Sequence, residues 1–261
     1  FSSIQQHSSV EHDYLKDGFV SQTKEQELPV PGLSVKFLKK TVNVTDRIMA
    51  VIDTMSNEVA RIQAADSISK VLCDSVGNDD MQYAEVFPYY NNNVYYLQVY
   101  DVFNDVRLVF TPPSSVGKFG GDTDNWMWPR HTGDFSMFRI YADKNGEPAA
   151  YNKKNVPLKT KKHLTISLKG IQEGDYAMVM GFPGRTSRYL TASEVENRMK
   201  NQNDPRIQIR TAVLDYLKKE MRANDTIRIQ YASIFASSSN YWKNSIGMNK
   251  AIVDNRVLDT K

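Results

Sequence analysis

The residues most able to do chemistry crowd into positions 119–141, FGGDTDNWMWPRHTGDFSMFRIY, which hold glycines, two tryptophans, a proline, an Arg-His pair and three aspartates. Such a stretch describes a shaped loop feeding a strand, and loops held by a rigid sheet are where sites concentrate. A calcium loop would draw on Asp122, Asp124 and Asp134. Hard-cation sites need about six to eight oxygens, and the intervening Trp126-Met127-Trp128-Pro129 supplies none from its side chains. A zinc site needs clustered His and Cys, whereas His7, His12, His131 and His163 are scattered without HExxH spacing and Cys73 is the single cysteine. No metal and no cofactor is expected.

The remaining chemistry is acyl transfer. In trypsin-like enzymes a buried aspartate opens a barrel strand in the pattern Asp-apolar-x-apolar, fixes the tautomer of the catalytic histidine and stabilises the imidazolium. Gly133-Asp134-Phe135-Ser136-Met137-Phe138 fits that pattern, and the downstream EGDYAMVMGFPG resembles the glycine-bounded strand that opens the second barrel of that fold. A capped surface aspartate ahead of a strand fits the same residues.

Several elements must hold this loop. Residues 33–45, LSVKFLKKTVNVT, predict a strand or strand pair. Asp46 is a candidate cap for a helix whose one face carries Ile48, Val51, Ile52, Met55, Val59 and Ile62, and Ala65 to Val76 closes a helical hairpin. From Gln82 to Pro112 the runs QYAEVFPYY, VYYLQVYDVF and VRLVFTPP, separated by Asn91 to Asn93 and Asn104-Asp105, predict an antiparallel meander. Further strands are expected over 135–142 and 163–182. Beyond Gly184 the pattern turns helical: a run from Ser193, a cap at Asp204-Pro205 with a stripe of Ile207, Val213, Leu214, Leu217 and Met221, and a run from Asp225 through Lys250. A boundary falls near Thr186 to Ser193.

With 33 basic and 30 acidic residues spread along 261 positions, 41% hydrophobic and 24% charged, the chain has a globular composition and a formal charge of +3. No concentrated basic field points to nucleic acid. No apolar run approaches the roughly 20 residues of a membrane span. Cys73, in an apolar-patterned run, reads as a buried free thiol. Phe1 opens without an initiator Met or an apolar leader, and the C-terminus stops without a closing signal, which suggests a fragment.

GGDTDNWMWPRHTGDFSMFRIYADKNG, preceded by TPPSSVGKFG and by the opening FSSIQQHSSVEHDYLKDGF, closely resembles the bacterial serine dipeptidyl-peptidases of the dipeptidyl-peptidase 7 and 11 type, most strongly over residues 1–22 and 81–190. The resemblance implies that Asp134 is the triad aspartate. It implies too that Asn125 and Trp126, with Asn240 in SSNYWKN, hold the free α-amino group of a peptide. Asn oxygens suit that task, because they accept hydrogen bonds from an ammonium without ionising. Arg130 and His131 read as structural residues paired with nearby acids.

The family histidine lies in an Asn-His-His-Cys-Gly motif upstream of the segment matching Phe1, and its serine in a Gly-Asn-Ser-Gly type motif beyond the helical insertion. Ser245 in KNSIG lacks the glycines that flank an oxyanion hole. The fragment alone is therefore expected to be inert. The fold expected is mixed β and α. Residues 1–189 should form most of a first antiparallel barrel, with the helical hairpin 46–76 inserted, and the start of a second barrel in a trypsin-like pair. Residues 190–261 should begin a helical cap domain. The expected partners are peptides with free N-termini, with no nucleic acid and no membrane; resemblance adds a periplasmic location and a homodimer. The alternative is a non-catalytic trypsin-fold module that binds peptide N-termini.

Overall fold

Runs of alternating β-branched and aromatic residues build two antiparallel sheets in the computed structural model, which describes residues 2–77, 79–119, 125–178, 187 and 189–261. Two compact units emerge: residues 19–111 with 136–159, and residues 1–18, 112–135 and 160–261.

In the first unit, β3 (Val35–Asn43), β5 (Val94–Phe103) and β4 (Gln82–Tyr89) form one sheet in that order. Tyr95, Leu97 and Val99 point alternately inward from β5. They meet Ile48 and Ile52 of α3 (Thr45–Ile52) and Ala65 and Leu72 of α4 (Glu58–Ser75) in the core. Truncating the fully buried Ile48 or Leu72 to Ala would cost about 2–5 kcal/mol in such a core. Left-handed backbone at Tyr90, Asn91 and Asn92 turns β4 into β5. Cys73 is half-buried against this core rather than fully enclosed, and burial pushes its thiol pKa up.

The helical hairpin breaks earlier than its apolar spacing suggests. Asn57 Oδ1 accepts hydrogen bonds from Val59 N and Ala60 N at 2.9 and 3.2 Å, starting α4 afresh and leaving Val51, Val59 and Ile62 exposed. At the start of α3, Asn43 Oδ1 accepts from Thr45 N, so Asp46 sits inside the first turn and is not the cap.

The expected meander of residues 82–112 also divides. After Asn104 the chain leaves the first sheet, and β6 (Asp105–Thr111) pairs instead with β1 (Phe19–Val20), β2 (Leu28–Pro29) and β7 (Met137–Ala142), with β8 (Val156–Pro157) beyond β7. Asp105 is buried in β6 and is not a turn residue. Its carboxylate takes Arg107 Nε and Nη2 at 2.9 and 2.8 Å and Asn155 Nδ2 at 2.9 Å. The Arg107 guanidinium lies 3.7 Å from the Tyr141 ring centroid. Nearby, buried Glu27 accepts from Arg139 Nε at 2.7 Å and from the Tyr141 hydroxyl at 2.8 Å. Burial and that bond push the Tyr141 pKa up to about 12. Paired bonds of this kind are what allow charge inside a sheet unit.

In the second unit, α7 (Asp204–Ala223) and α8 (Asp225–Asp254) pack along each other, burying Leu214, Ile229 and Ala232. Ahead of α7 come α6 (Ala192–Asn197), opened by a capping box between Thr191 and Glu194, and a π-helical turn at Arg198–Asn203. Asp204 has helical backbone angles and accepts from Asn249 Nδ2, so it continues the helix and does not cap it. Pro205 has no N–H to return and crowds the carbonyl four residues back, and the wide turn lies where that strain falls. Asn224 caps α8 through Ile227 N, with Asp225 in the first turn. A short α9 (Val257–Thr260) follows.

The chain's start joins this unit. From α1 (Ser2–Gln5), Gln5 Nε2 donates to Gln230 O at 2.7 Å, and Asp13, which caps α2 (Tyr14–Asp17), pairs with Arg228. The strands expected over 163–182 are absent from 163–178; the remainder of that span, 179–182, lies outside the described residues. Leu164, Ile166 and Leu168 keep strand-like alternation but stand 78, 81 and 95% exposed with no neighbouring strand to pair with among the described residues. Among those residues, no helix is long and apolar enough to cross a membrane.

Candidate functional site: an amide cluster on helix α8

The loop that the sequence singles out is pinned at its base. Gly133 N donates to Val116 O at 3.0 Å, in the short α5 (Ser114–Gly117). A Cβ on Gly133 would fall 2.9 Å from Val116 Cγ1, so a side chain there would push the stiff valine aside. Asp134 follows directly, exposed and three residues ahead of β7. It thus lies outside the strand, in a more open setting than a buried strand-opening aspartate.

Above this base, Asn125 and Trp126 reach Asn240 on α8. Asn240 Oδ1 accepts from Trp126 Nε1 at 2.9 Å and from Asn125 Nδ2 at 3.2 Å, while Asn125 Oδ1 accepts from Arg130 Nη1 at 2.9 Å. Indole and guanidinium groups only donate. They therefore dictate which way both carboxamides face: Arg130 fixes the Asn125 oxygen, Trp126 fixes the Asn240 oxygen, and the Asn125 nitrogen bridges the two. Trp126 has a left-handed φ of 62°, uncommon for a bulky side chain.

Asn125, Arg130, Asp134 and Asn240 line one cleft of about 260 Å³ together with Lys118, Ala236 and Ser239. Three of the four sequence-predicted site residues, Asn125, Asp134 and Asn240, thus share this cleft, and the fourth, Trp126, is hydrogen-bonded to its wall. Asp122 and Asp124 of the alternative calcium loop lie outside the described residues. Among the described residues the wall carries two cations, Lys118 and Arg130, and one carboxylate, Asp134.

Arg130, expected to pair with nearby acids, bonds the Asn125 amide; of those acids, Asp122 and Asp124 lie outside the described residues. Lys118 and Ser239 were missed because only the fold brings them to the cleft. His131 has its ring 5.9 Å from that of Phe119. Ser245 is fully buried between α7 and α8, accepting from Arg206 Nη1 at 3.3 Å, with no access for a substrate.

This geometry occurs in a chain with clear relatives. It is 58% identical over 266 aligned positions to the dipeptidyl-peptidase 7 of Phocaeicola vulgatus, covering 100% of this chain and 37% of that protein. It is 44% identical over 262 positions to the Asp/Glu-specific dipeptidyl-peptidase of Flavobacterium psychrophilum, with the same coverage. Among solved structures, Porphyromonas endodontalis DPP11 in complex with the dipeptide Arg-Asp matches with a TM-score of 0.89 at 41% identity, over 99% of this chain and 38% of that one. The chain thus spans a little over a third of the length of these relatives, and the mixed arrangement of antiparallel sheets and helices is shared with the DPP11 structure. The peptidase S46 model matches residues 1–261, and the chain belongs to the peptidase S46 family.

Proposed function

We propose that the whole protein is a serine dipeptidyl-peptidase that releases dipeptides from free peptide N-termini through a Ser-His-Asp triad and an acyl-enzyme. Asp134 is its triad aspartate, and Asn125, Trp126 and Asn240 are its clamp for the substrate α-amino group. The observation that carries this reading is the oriented amide cluster beside Asp134 in one cleft.

The hydrogen-bond count says how a clamp would act. Among the described residues Asn125 Oδ1 accepts one bond, from Arg130, which leaves a lone pair for an incoming ammonium. Asn240 Oδ1 is held by two donors, and the longer bond, 3.2 Å from Asn125 Nδ2, is the one a substrate ammonium would replace. Charge-assisted bonds are shorter and stronger than neutral ones, so the exchange favours binding. A blocked N-terminus offers neither the charge nor enough donors.

A trypsin-like double barrel is the fold that goes with this reading, with residues 190–261 as the start of a helical cap. Its support here is the exposed alternation of Leu164, Ile166 and Leu168, which suits a strand whose partners lie in the part of the relatives' length that this chain does not span. A periplasmic location and a homodimer complete the proposal, both resting on resemblance to the bacterial dipeptidyl-peptidases.

Asp134→Asn in the whole protein tests the triad role. Replacing a triad aspartate by asparagine lowers kcat about 10⁴-fold in the trypsin precedent, because the histidine adopts the wrong tautomer. A loss under about tenfold would contradict the assignment.

A further inference from the structure

Gly247 stands in the interior of the 30-residue α8, where glycine is the poorest helix former apart from proline. Its φ is not positive, so no left-handed turn calls for it. Space calls for it: a Cβ at this position would lie 3.0 Å from the Trp126 carbonyl oxygen and 3.4 Å from Trp126 Cβ. Ordinary carbon contacts are about 3.5–4.0 Å, and the crowded atom is backbone, which cannot swing away as a side chain can.

Gly247 and Asn240 are seven residues apart, two turns along one face of the helix. That face therefore receives Trp126 twice, its carbonyl against the bare backbone of Gly247 and its indole on the Asn240 oxygen. We infer that Gly247 is a positioning residue for the amide cluster: its missing side chain lets α8 accept the Trp126 backbone closely enough for Asn240 to gather both Asn125 and Trp126. The inference rests on reading that cluster as the clamp for a free N-terminus. A methyl group at 247 would lift the Trp126 segment by a few tenths of an ångström and stretch the 2.9 Å indole bond that orients the Asn240 oxygen.

The test is kinetic, on the whole protein, with matched chromogenic dipeptides bearing free and acetylated N-termini. Gly247→Ala should raise KM for the free-amine series about tenfold, with kcat within about threefold, the signature of lost ground-state binding. Its Tm should stay level or rise, because alanine favours the helix. Ser237→Ala, on an exposed face of α8, should change neither. In an Asn240→Ala background the added cost of Gly247→Ala should shrink below about twofold, since the bond it protects is already gone.

An unchanged KM in Gly247→Ala, while Asn125→Ala loses the preference for free amines, would overturn the inference and leave the clamp standing. A Tm loss beyond about 3 °C would make Gly247 a packing residue and overturn it as well. If Asn125→Ala keeps the free-amine preference, the clamp reading itself fails and takes this inference with it.

Discussion

Trp126 and Asn240, separated by 114 residues of chain, are joined by a single hydrogen bond of 2.9 Å from the indole Nε1 to the amide oxygen. Trp126 is 53% exposed, so its ring is not spent on filling a core. Trp126→Phe keeps most of the ring and removes only the donor. One such bond is worth about 1 kcal/mol net, so KM for free-amine dipeptides should rise about fivefold with Tm unchanged. An unaltered KM in steady-state assays would mean that the indole does not orient Asn240.

Arg130 governs the other amide. Arg130→Met removes the donor that holds Asn125 Oδ1, freeing the carboxamide to turn its nitrogen toward the substrate, where an ammonium meets a donor instead of an acceptor. KM should rise about tenfold, and Arg130→Lys should recover part of the loss, since an ammonium also only donates but lacks the rigid fork. The same variants removing affinity for acetylated peptides equally would point to a general structural role.

The Asp105–Arg107 pair predicts a stability effect within its own unit. Among the described residues Arg107→Met leaves the buried Asp105 carboxylate with Asn155 alone, and breaking a buried pair from one side costs about 3–5 kcal/mol. Thermal unfolding should shift clearly downward, while replacing both residues with apolar ones should recover much of the loss. A single-variant Tm within 1 °C, on the order of the noise expected for surface changes, would remove this pair from the account.

Tyr141 sets an alkaline limit. Its folded-state pKa is pushed up to about 12 by burial and by its bond to Glu27, against roughly 10 in an unfolded chain. The fold therefore favours the neutral phenol: that stabilisation is complete below about pH 10 and is lost as pH rises toward 12. Tm measured from pH 8 to 11.5 should fall less steeply in Tyr141→Phe than in the parent, even if the variant starts lower. Parallel slopes would contradict the linkage.

Local signals in the sequence located most elements but not their partners. The β4–β5 hairpin was legible because its asparagines tolerate left-handed angles, and α7 because Ile207, Val213, Leu214, Leu217 and Met221 form a helical stripe. The switch of β6 into another sheet was not legible, since alternation says which residues face inward and not which strand lies alongside. The break at Asn57 was masked by apolar spacing that runs through it. Residues 163–168 carry a strand pattern, yet a strand needs a neighbour and this chain supplies none among the described residues. At the site, resemblance pointed to Asn125, Trp126, Asp134 and Asn240. Arg130 and Gly247 act through a bond and a close approach that exist only after folding, and a glycine inside a helical pattern was the one visible hint of the second.

The central claim is that this cluster reads a free N-terminus for a dipeptidyl-peptidase, and dipeptide release by the whole protein from matched chromogenic dipeptides with free and acetylated N-termini tests it most directly. The account predicts cleavage of the free-amine series alone. Equal cleavage of both series would contradict the clamp, and no cleavage of a broad panel would contradict the enzyme and favour a non-catalytic module that binds peptide N-termini.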